Sequence, residues 1–204
     1  MMDNQRNRQI YRLWSPVYDA VLGGFFSRGR RRALELLALQ PGEKLLIPGI
    51  GTGLDIPLLP PNVTVIGGDF SPEMLAKARQ KVGERAVTLV ELDAQNLDFP
   101  DASFDAVMFN LILSVVPDGK KALQEGWRVL RPGGRAVIFD KFLPETSTIT
   151  PMRQLAGRII RAFGTDPNRR LSEMIADLPG LRVACDEPSL LGGQYRVIRL
   201  DKQA

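Results

Sequence analysis

Histidine is absent from all 204 residues, which excludes chemistry that needs an imidazole, whether as proton relay near neutral pH or as metal ligand. Cysteine occurs once, at Cys185, so an internal disulfide and a cysteine-based structural zinc site are ruled out, and the residue reads as a small core side chain on a strand. No apolar run approaches the ~20 residues that a membrane-spanning helix needs. Nor does a long apolar stretch precede a small-residue cleavage site near the N-terminus. The expectation is a cytoplasmic protein, bound to a membrane at most by its face. Internal repeats and low-complexity tracts are lacking too.

An apolar content of 44% can fill one sizeable core, and the expectation is a single domain over 1–204. It divides into N-terminal helices (1–40), a central core (41–142), inserted helices (143–180) and two final strands (181–204). The net charge of +4 is unevenly spread. Arg6, Arg8, Arg12, Arg28, Arg30, Arg31 and Arg32 face only Asp3 and Asp19 before residue 34; Arg153, Arg158, Arg161, Arg169 and Arg170 face Glu145 and Asp166 further on. Both basic stretches flank the strand-rich middle, so an anionic partner is expected to meet these additions, unless they are simply solvated surface.

From about residue 43, short apolar runs alternate with helical segments. Strands are expected at 43–48, 63–68, 87–91, 104–109, 134–140, 181–186 and 194–200. Ser71 before Pro72 marks one helix start and Asp118 another. Such alternation means an α/β fold, a mostly parallel sheet with helices on both faces. Between the last two strands, Pro188 to Gly193 is too short for a crossover helix, so one strand must run antiparallel. Pro57, Pro60 and Pro61 limit the helix after the first strand to a turn or two. Two segments are amphipathic: Ile10, Leu13, Trp14 and Val17 near the N-terminus, and Met152, Leu155, Ala156, Ile159 and Phe163 in a helix inserted after strand 5. Each either docks on the domain or forms a lid or membrane-facing surface.

The run Leu45-Leu46-Ile47 leads into Gly49-x-Gly51-x-Gly53, and Asp69 ends the next apolar run twenty residues after Gly49. Glycines let a backbone turn tightly beneath a ligand, and a carboxylate at the neighbouring strand end can accept both hydroxyls of a ribose. This is the layout of a nucleoside-binding domain. A nicotinamide enzyme would use Gly-x-Gly-x-x-Gly, but Leu54 stands three places after Gly51.

With Gly-Gly-Asp-Phe-Ser-Pro-Glu-Met-Leu, Leu-Asp-Ala-Gln-Asn-Leu-Asp-Phe, Ser-Phe-Asp-Ala-Val and Val-Leu-Arg-Pro-Gly-Gly-Arg following in order, the chain resembles class I S-adenosylmethionine-dependent methyltransferases over essentially its full length. Tyr18-Asp19, Phe25-Phe26-Ser27-Arg28-Gly29-Arg30, the stretch from Leu113 to Asp118, and Asp140-Lys141-Phe142 resemble the ubiquinone/menaquinone-type branch and bacterial phosphatidylethanolamine N-methyltransferases. The resemblance implies a Rossmann-like seven-stranded sheet and S-adenosylmethionine as cofactor, without a metal. It implies that Gly49, Gly51 and Gly53 floor the methionine moiety, Asp69 binds ribose, and Phe70 lies against adenine. Asp93 would accept from the adenine amino group with Ala94 beside it, and Asn110 would face the methionine end. One departure stands out: Ile47 occupies the place where this family usually carries an acid, so the cofactor's amino group needs another acceptor. Asp55 is the candidate; its alternative is a cap for the short helix.

Displacement at a sulfonium methyl has a good leaving group, so holding the nucleophile in line supplies most of the catalysis. For an amine that must lose a proton, the acceptors are Tyr18, Asp19, Asp140 or water. Tyr18 is the catalytic candidate, since an aromatic face or phenol oxygen suits a cation; its alternative is packing the N-terminal helices. Lys141 binds a phosphate or merely ends a strand. The expected substrate is the amine of a phospholipid headgroup, met at an anionic membrane by the arginine-rich helices; the alternatives are a soluble quinone-like metabolite or, less favoured, RNA. Against nucleic acid, Asn110-Leu111-Ile112-Leu113 stands where Asn-Pro-Pro-Tyr or Asp-Pro-Pro-Tyr would be needed.

Overall fold

A computed structural model describes residues 23–147 and 165–204. Tyr18, Asp19, the N-terminal amphipathic segment and the 152–163 helix, with Arg153, Arg158 and Arg161, lie outside the described residues. The described chain opens in helix α1 (23–37). It continues through β1 (Lys44–Pro48), a short 3-10 turn (Ile56–Leu58), β2 (Thr64–Asp69), α2 (Pro72–Val82), β3 (Val87–Glu91) and β4 (Phe104–Asn110). Then come α3 (Gly119–Val129), β5 (Leu130–Lys141), α4 (Leu171–Ile175), β6 (Leu181–Leu190) and β7 (Tyr195–Lys202).

All seven strands join one sheet in the order β3-β2-β1-β4-β5-β7-β6, with β7 alone reversed, antiparallel to both β5 and β6. Strand residues alternate between two apolar layers, as the period of two requires. Leu45, Ile47, Met108, Val137 and Phe139 pack with Phe26, Ala33 and Leu37 of α1 and Leu75 and Ala78 of α2. Leu46, Val107, Phe109, Ile138 and Ile198 pack with Leu123 and Trp127 of α3 and Leu171 and Met174 of α4. Helices therefore cover both faces, which is why the strands read as nearly continuous apolar runs. Helix α1 lies close on β5, because Gly29 leaves room for the Phe139 ring that a Cβ would strike.

The expected helix starts are present: Ser71 Oγ accepts from Met74 N, and Asp118 Oδ1 from Lys121 N. Two strand bounds differ from expectation by four residues, the others by two at most. β5 begins at Leu130 because pairing with β4 resumes across a bulge in which Arg131, Pro132, Gly133 and Gly134 stand opposite the single Asp105. β6 continues past 186 to Leu190 despite Pro188, since it is an edge strand where a missing N–H costs no ladder bond. Ile47 is fully buried in the core layer beside α1.

Two arginines of the sheet, Arg135 buried and Arg199 half-buried, close the C-terminal end of α1. Arg135 of β5 donates to the carbonyls of Leu37 and Ala38 and makes paired bonds of 2.8 and 2.5 Å to the Glu43 carboxylate, while Arg199 of β7 donates to Leu36 O at 2.9 Å. Guanidinium groups at a helix C-terminus satisfy orphan carbonyls and oppose the negative end of the dipole. The hydrogen bonds from Arg135 hold the Glu43 carboxyl below its usual range. Removing one partner of a buried pair strands the other charge, so Arg135→Met should cost about 3–5 kcal/mol in chemical denaturation at neutral pH. A carboxylate whose folded pKa is depressed stabilises above its unfolded value and loses that contribution as pH falls through the folded one. The gap between wild type and Glu43→Gln should accordingly narrow on acidification below about 4.5.

Candidate functional site

The parallel strands end along one edge of the sheet, and a cavity opens there over β1, β2, β3 and β4. Its floor is the turn after β1, pinned to β2 by Gly49 N and Ile50 N, which both donate to Gly68 O at 2.7 and 2.8 Å. Gly49, Gly51 and Gly53 all have positive φ, yet they serve different ends. A Cβ on Gly49 would come within 2.5 Å of Ile112, and one on Gly53 within 2.7 Å of Ile56 and 2.9 Å of the Ala78 backbone. On Gly51 it would meet nothing within 4 Å, because the cavity is there. Gly49 and Gly51 line the cavity; Gly53 does not, and its lack of a side chain lets the turn pack on α2.

Asp69, at the end of β2, organises this floor: Oδ2 accepts from Gly51 N and Oδ1 from Ser71 N, each at 2.9 Å. One carboxylate thus ties the glycine turn to the start of α2, and its remaining lone pairs can take further donors. Burial raises its pKa, against the pull of these N–H donors. Phe70 and, beyond β3, Asp93 and Ala94 line the same cavity. Asp93 is braced by Gln95, whose N and Nε2 donate to Oδ1 at 2.9 and 3.0 Å.

At the β4 end stand Asn110, Leu111 and Ile112. Leu111 holds φ at +59°, a strained conformation for a non-glycine residue, fixed by its N–H to Phe139 O at 2.7 Å. Asp55 is not among the lining residues. It sits at the cap position of the 3-10 turn without a side-chain cap bond, fully buried, and accepts instead from Arg30 Nη1 at 2.7 Å and Asn110 Nδ2 at 2.9 Å. Both its oxygens are engaged inside the protein. Arg30 does line the cavity, the only cationic side chain among the described residues that does so. The sequence reading missed it as a site residue, since it sits among Arg28, Arg31 and Arg32 with nothing local to mark it.

Asp140 and Lys141 are not lining residues either. Asp140 is wholly buried at the end of β5 and accepts from Ser114 N at 2.9 Å and Lys141 N at 2.8 Å, anchoring the loop after β4. Burial raises the Asp140 pKa and lowers that of Lys141.

Strand order sets out the chemistry in a line along the cavity: carboxylate and apolar face at β3 and β2, a bare backbone floor at β1, and an amide with a guanidinium at β4. Two buried polar atoms at the last position, Arg30 Nε and Asn110 Oδ1, have no partner among the described residues. A floor open above Gly51 and partnerless groups beyond it fit an adenosine carrying a charged tail.

Comparison with known proteins agrees with this layout. A family model described as a methyltransferase domain matches residues 46–138. The chain is 34% identical to a phosphatidylethanolamine N-methyltransferase of Cereibacter sphaeroides, across 95% of this chain and 96% of that one. It is also 34% identical to a demethylmenaquinone methyltransferase of Deinococcus radiodurans, across 94% and 83%. Among solved structures, the cyclase SpnF superposes with a TM-score of 0.77 at 18% identity, covering 96% of this chain and 94% of its own, a likeness of fold alone.

Two substitutions separate the roles of the floor. Asp69→Ala should weaken S-adenosylhomocysteine binding about ten- to a hundredfold by calorimetry, the loss of roughly 1.5–3 kcal/mol of charge-assisted bonding. Gly51→Val should abolish it with near-native circular dichroism, the positive φ costing only about 1–2 kcal/mol. A ribose held through its hydroxyls by Asp69 would need that carboxyl ionised, and burial raises the pH at which the free protein takes up the proton. Affinity should therefore fall with acidification, and Asp69→Asn should flatten that dependence.

Proposed function

This chain belongs to the S-adenosylmethionine-dependent methyltransferase family, and we propose that it methylates the amine of a phospholipid headgroup of the phosphatidylethanolamine kind, working at the face of an anionic membrane. The near-full-length match to the Cereibacter sphaeroides enzyme supports this reading. The observation that carries it in this chain is the outward side of α1. There Arg28 and Arg31, both exposed, have no ion-pair or hydrogen-bond partner among the described residues and line a groove of about 540 Å³ against β6. Their neighbour Arg32 is committed to Glu35 and Glu187, holding the Glu187 carboxyl down at about 2. Free guanidinium groups suit a phosphodiester. Among the described residues, no helix is long and apolar enough to cross a membrane.

When bound, S-adenosylmethionine supplies a methyl on a sulfonium that leaves as a neutral thioether. The chain's own part is positional: Gly51 and Asp69 seat the nucleoside, while Leu111, Ile112, Val115 and Val116 form an apolar wall that keeps water from the methyl end. With no histidine in the chain and Asp140 engaged as an anchor, Tyr18, Asp19 or water takes the proton of the attacking amine, Tyr18 being the favoured group.

The Deinococcus radiodurans relative favours a second reading, a quinone-like acceptor. Expression in a host that makes phosphatidylethanolamine but none of its methylated forms should yield mono- to trimethylated lipid in extracts, absent from the vector control. Methylation of a quinone precursor with the phospholipids unchanged would replace the first reading by the second. Reversing Arg28 and Arg31 to glutamate should weaken binding to anionic vesicles by roughly tenfold or more, at about 1 kcal/mol per basic group, and leave S-adenosylhomocysteine affinity unaltered.

A further inference from the structure

Asp55 holds two side chains that reach the cavity from different elements, Arg30 of α1 and Asn110 of β4, yet it does not line the cavity itself. A carboxylate only accepts hydrogen bonds, so it dictates which way the Asn110 amide must lie: Nδ2 toward Asp55, Oδ1 away. The same carboxylate takes only Nη1 of Arg30. What remains is one acceptor, Asn110 Oδ1, and one donor, Arg30 Nε, both buried and both without a partner among the described residues. Buried polar atoms are satisfied in nearly all native structures, and an acceptor and a donor left open on the two partners of one carboxylate, both at the cavity, point to a ligand with the reciprocal pair. A zwitterionic amino-acid group has that pair.

We propose that Arg30, Asp55 and Asn110 form a buried clip for the amino-acid end of the cofactor, in which Arg30 takes the carboxylate and Asn110 Oδ1 accepts from the ammonium. Asp55 touches neither and acts as a positioning residue, orienting both. The inference rests on reading the cavity as an S-adenosylmethionine site and adds who recognises its tail. The order of the strands places it there: with Asp69 at β2 and the bare floor at β1, the tail of an adenosine seated on them extends toward β4. The clip also answers the want of an acid at Ile47, which is sealed in the core with no access to the cavity. Because Arg30 belongs to α1, the tail pocket is complete only with that helix seated on the sheet.

Calorimetric titration with S-adenosylhomocysteine and with 5′-methylthioadenosine, which lacks the amino and carboxylate groups, isolates the clip. Wild type should prefer the former by tenfold or more. Arg30→Met and Asn110→Ala should each weaken S-adenosylhomocysteine roughly ten- to a hundredfold while methylthioadenosine stays within twofold. Asp55→Asn should erode the same preference without altering methylthioadenosine, which a merely structural role would not do. An unchanged preference in Arg30→Met and Asn110→Ala overturns the clip. Should Arg30→Met fail to fold, the preference measured in Asn110→Ser decides alone. A wild type that binds neither ligand would instead overturn the cofactor reading beneath it.

Discussion

The buried ion pair between Arg30 and Asp55 is the contact on which the rest of the site depends. An arginine and a carboxylate with side-chain exposures of 9% and 2% have each given up their hydration, and only mutual attraction with further hydrogen bonds offsets that cost. The pair crosses from α1 to the segment just past the glycine turn, and Asn110 extends it to β4. A helix, a turn and a strand that meet nowhere in sequence are thereby brought to one point. The C-terminal end of α1 is held by Arg135 and Arg199, so the helix is fixed at its middle and at that end by guanidinium groups of opposite task. Two of these are donors on the sheet gripping helix carbonyls; the third is a donor on the helix gripping a carboxylate.

Sheet topology does the remaining work. Because β3, β2, β1 and β4 are adjacent in space, groups that the chain supplies at Asp93, Asp69, Gly51 and Asn110 fall in the order of a nucleotide-like ligand laid across the strand ends. The same frame, within a TM-score of 0.77, occurs in a protein called a cyclase, so the frame fixes where a ligand lies and not what is done to it. Chemistry is set by what closes over the cavity, and here that includes an unusually basic α1.

Local patterns made the frame legible. The apolar runs, the Ser71-Pro72 and Asp118 starts, the prolines that cut the first crossover to a 3-10 turn, and the short link before the reversed strand each have a near-neighbour cause, and each appears in the structure. Asp69 was legible for the same reason, since it ends an apolar run. Asp55 and Arg30 were not: their pairing spans 25 residues, and that of Asp55 with Asn110 spans 55. A sequence window shows Asp55 only as a carboxylate near a helix start, and Arg30 as one of several arginines. Nor could three alike glycines be told apart, because packing against Ala78 or an open cavity is a property of the folded surroundings. The extended β5 was hidden by Pro132-Gly133-Gly134, which mark a turn in any local reading and here form a bulge.

The place of β7 has a consequence for how the protein is made. It follows β6 in the chain but lies between β5 and β6, pairing with both along most of its length. During synthesis, β1 to β5 emerge and can pair while the β5 edge stays open, and β6 has no neighbour at all until its successor arrives. The nascent chain thus carries every described residue that lines the cofactor cradle, the last being Val116, before it carries the complete sheet. A ligand at cellular concentration can meet that cradle on the ribosome, ahead of the step that covers the β5 edge.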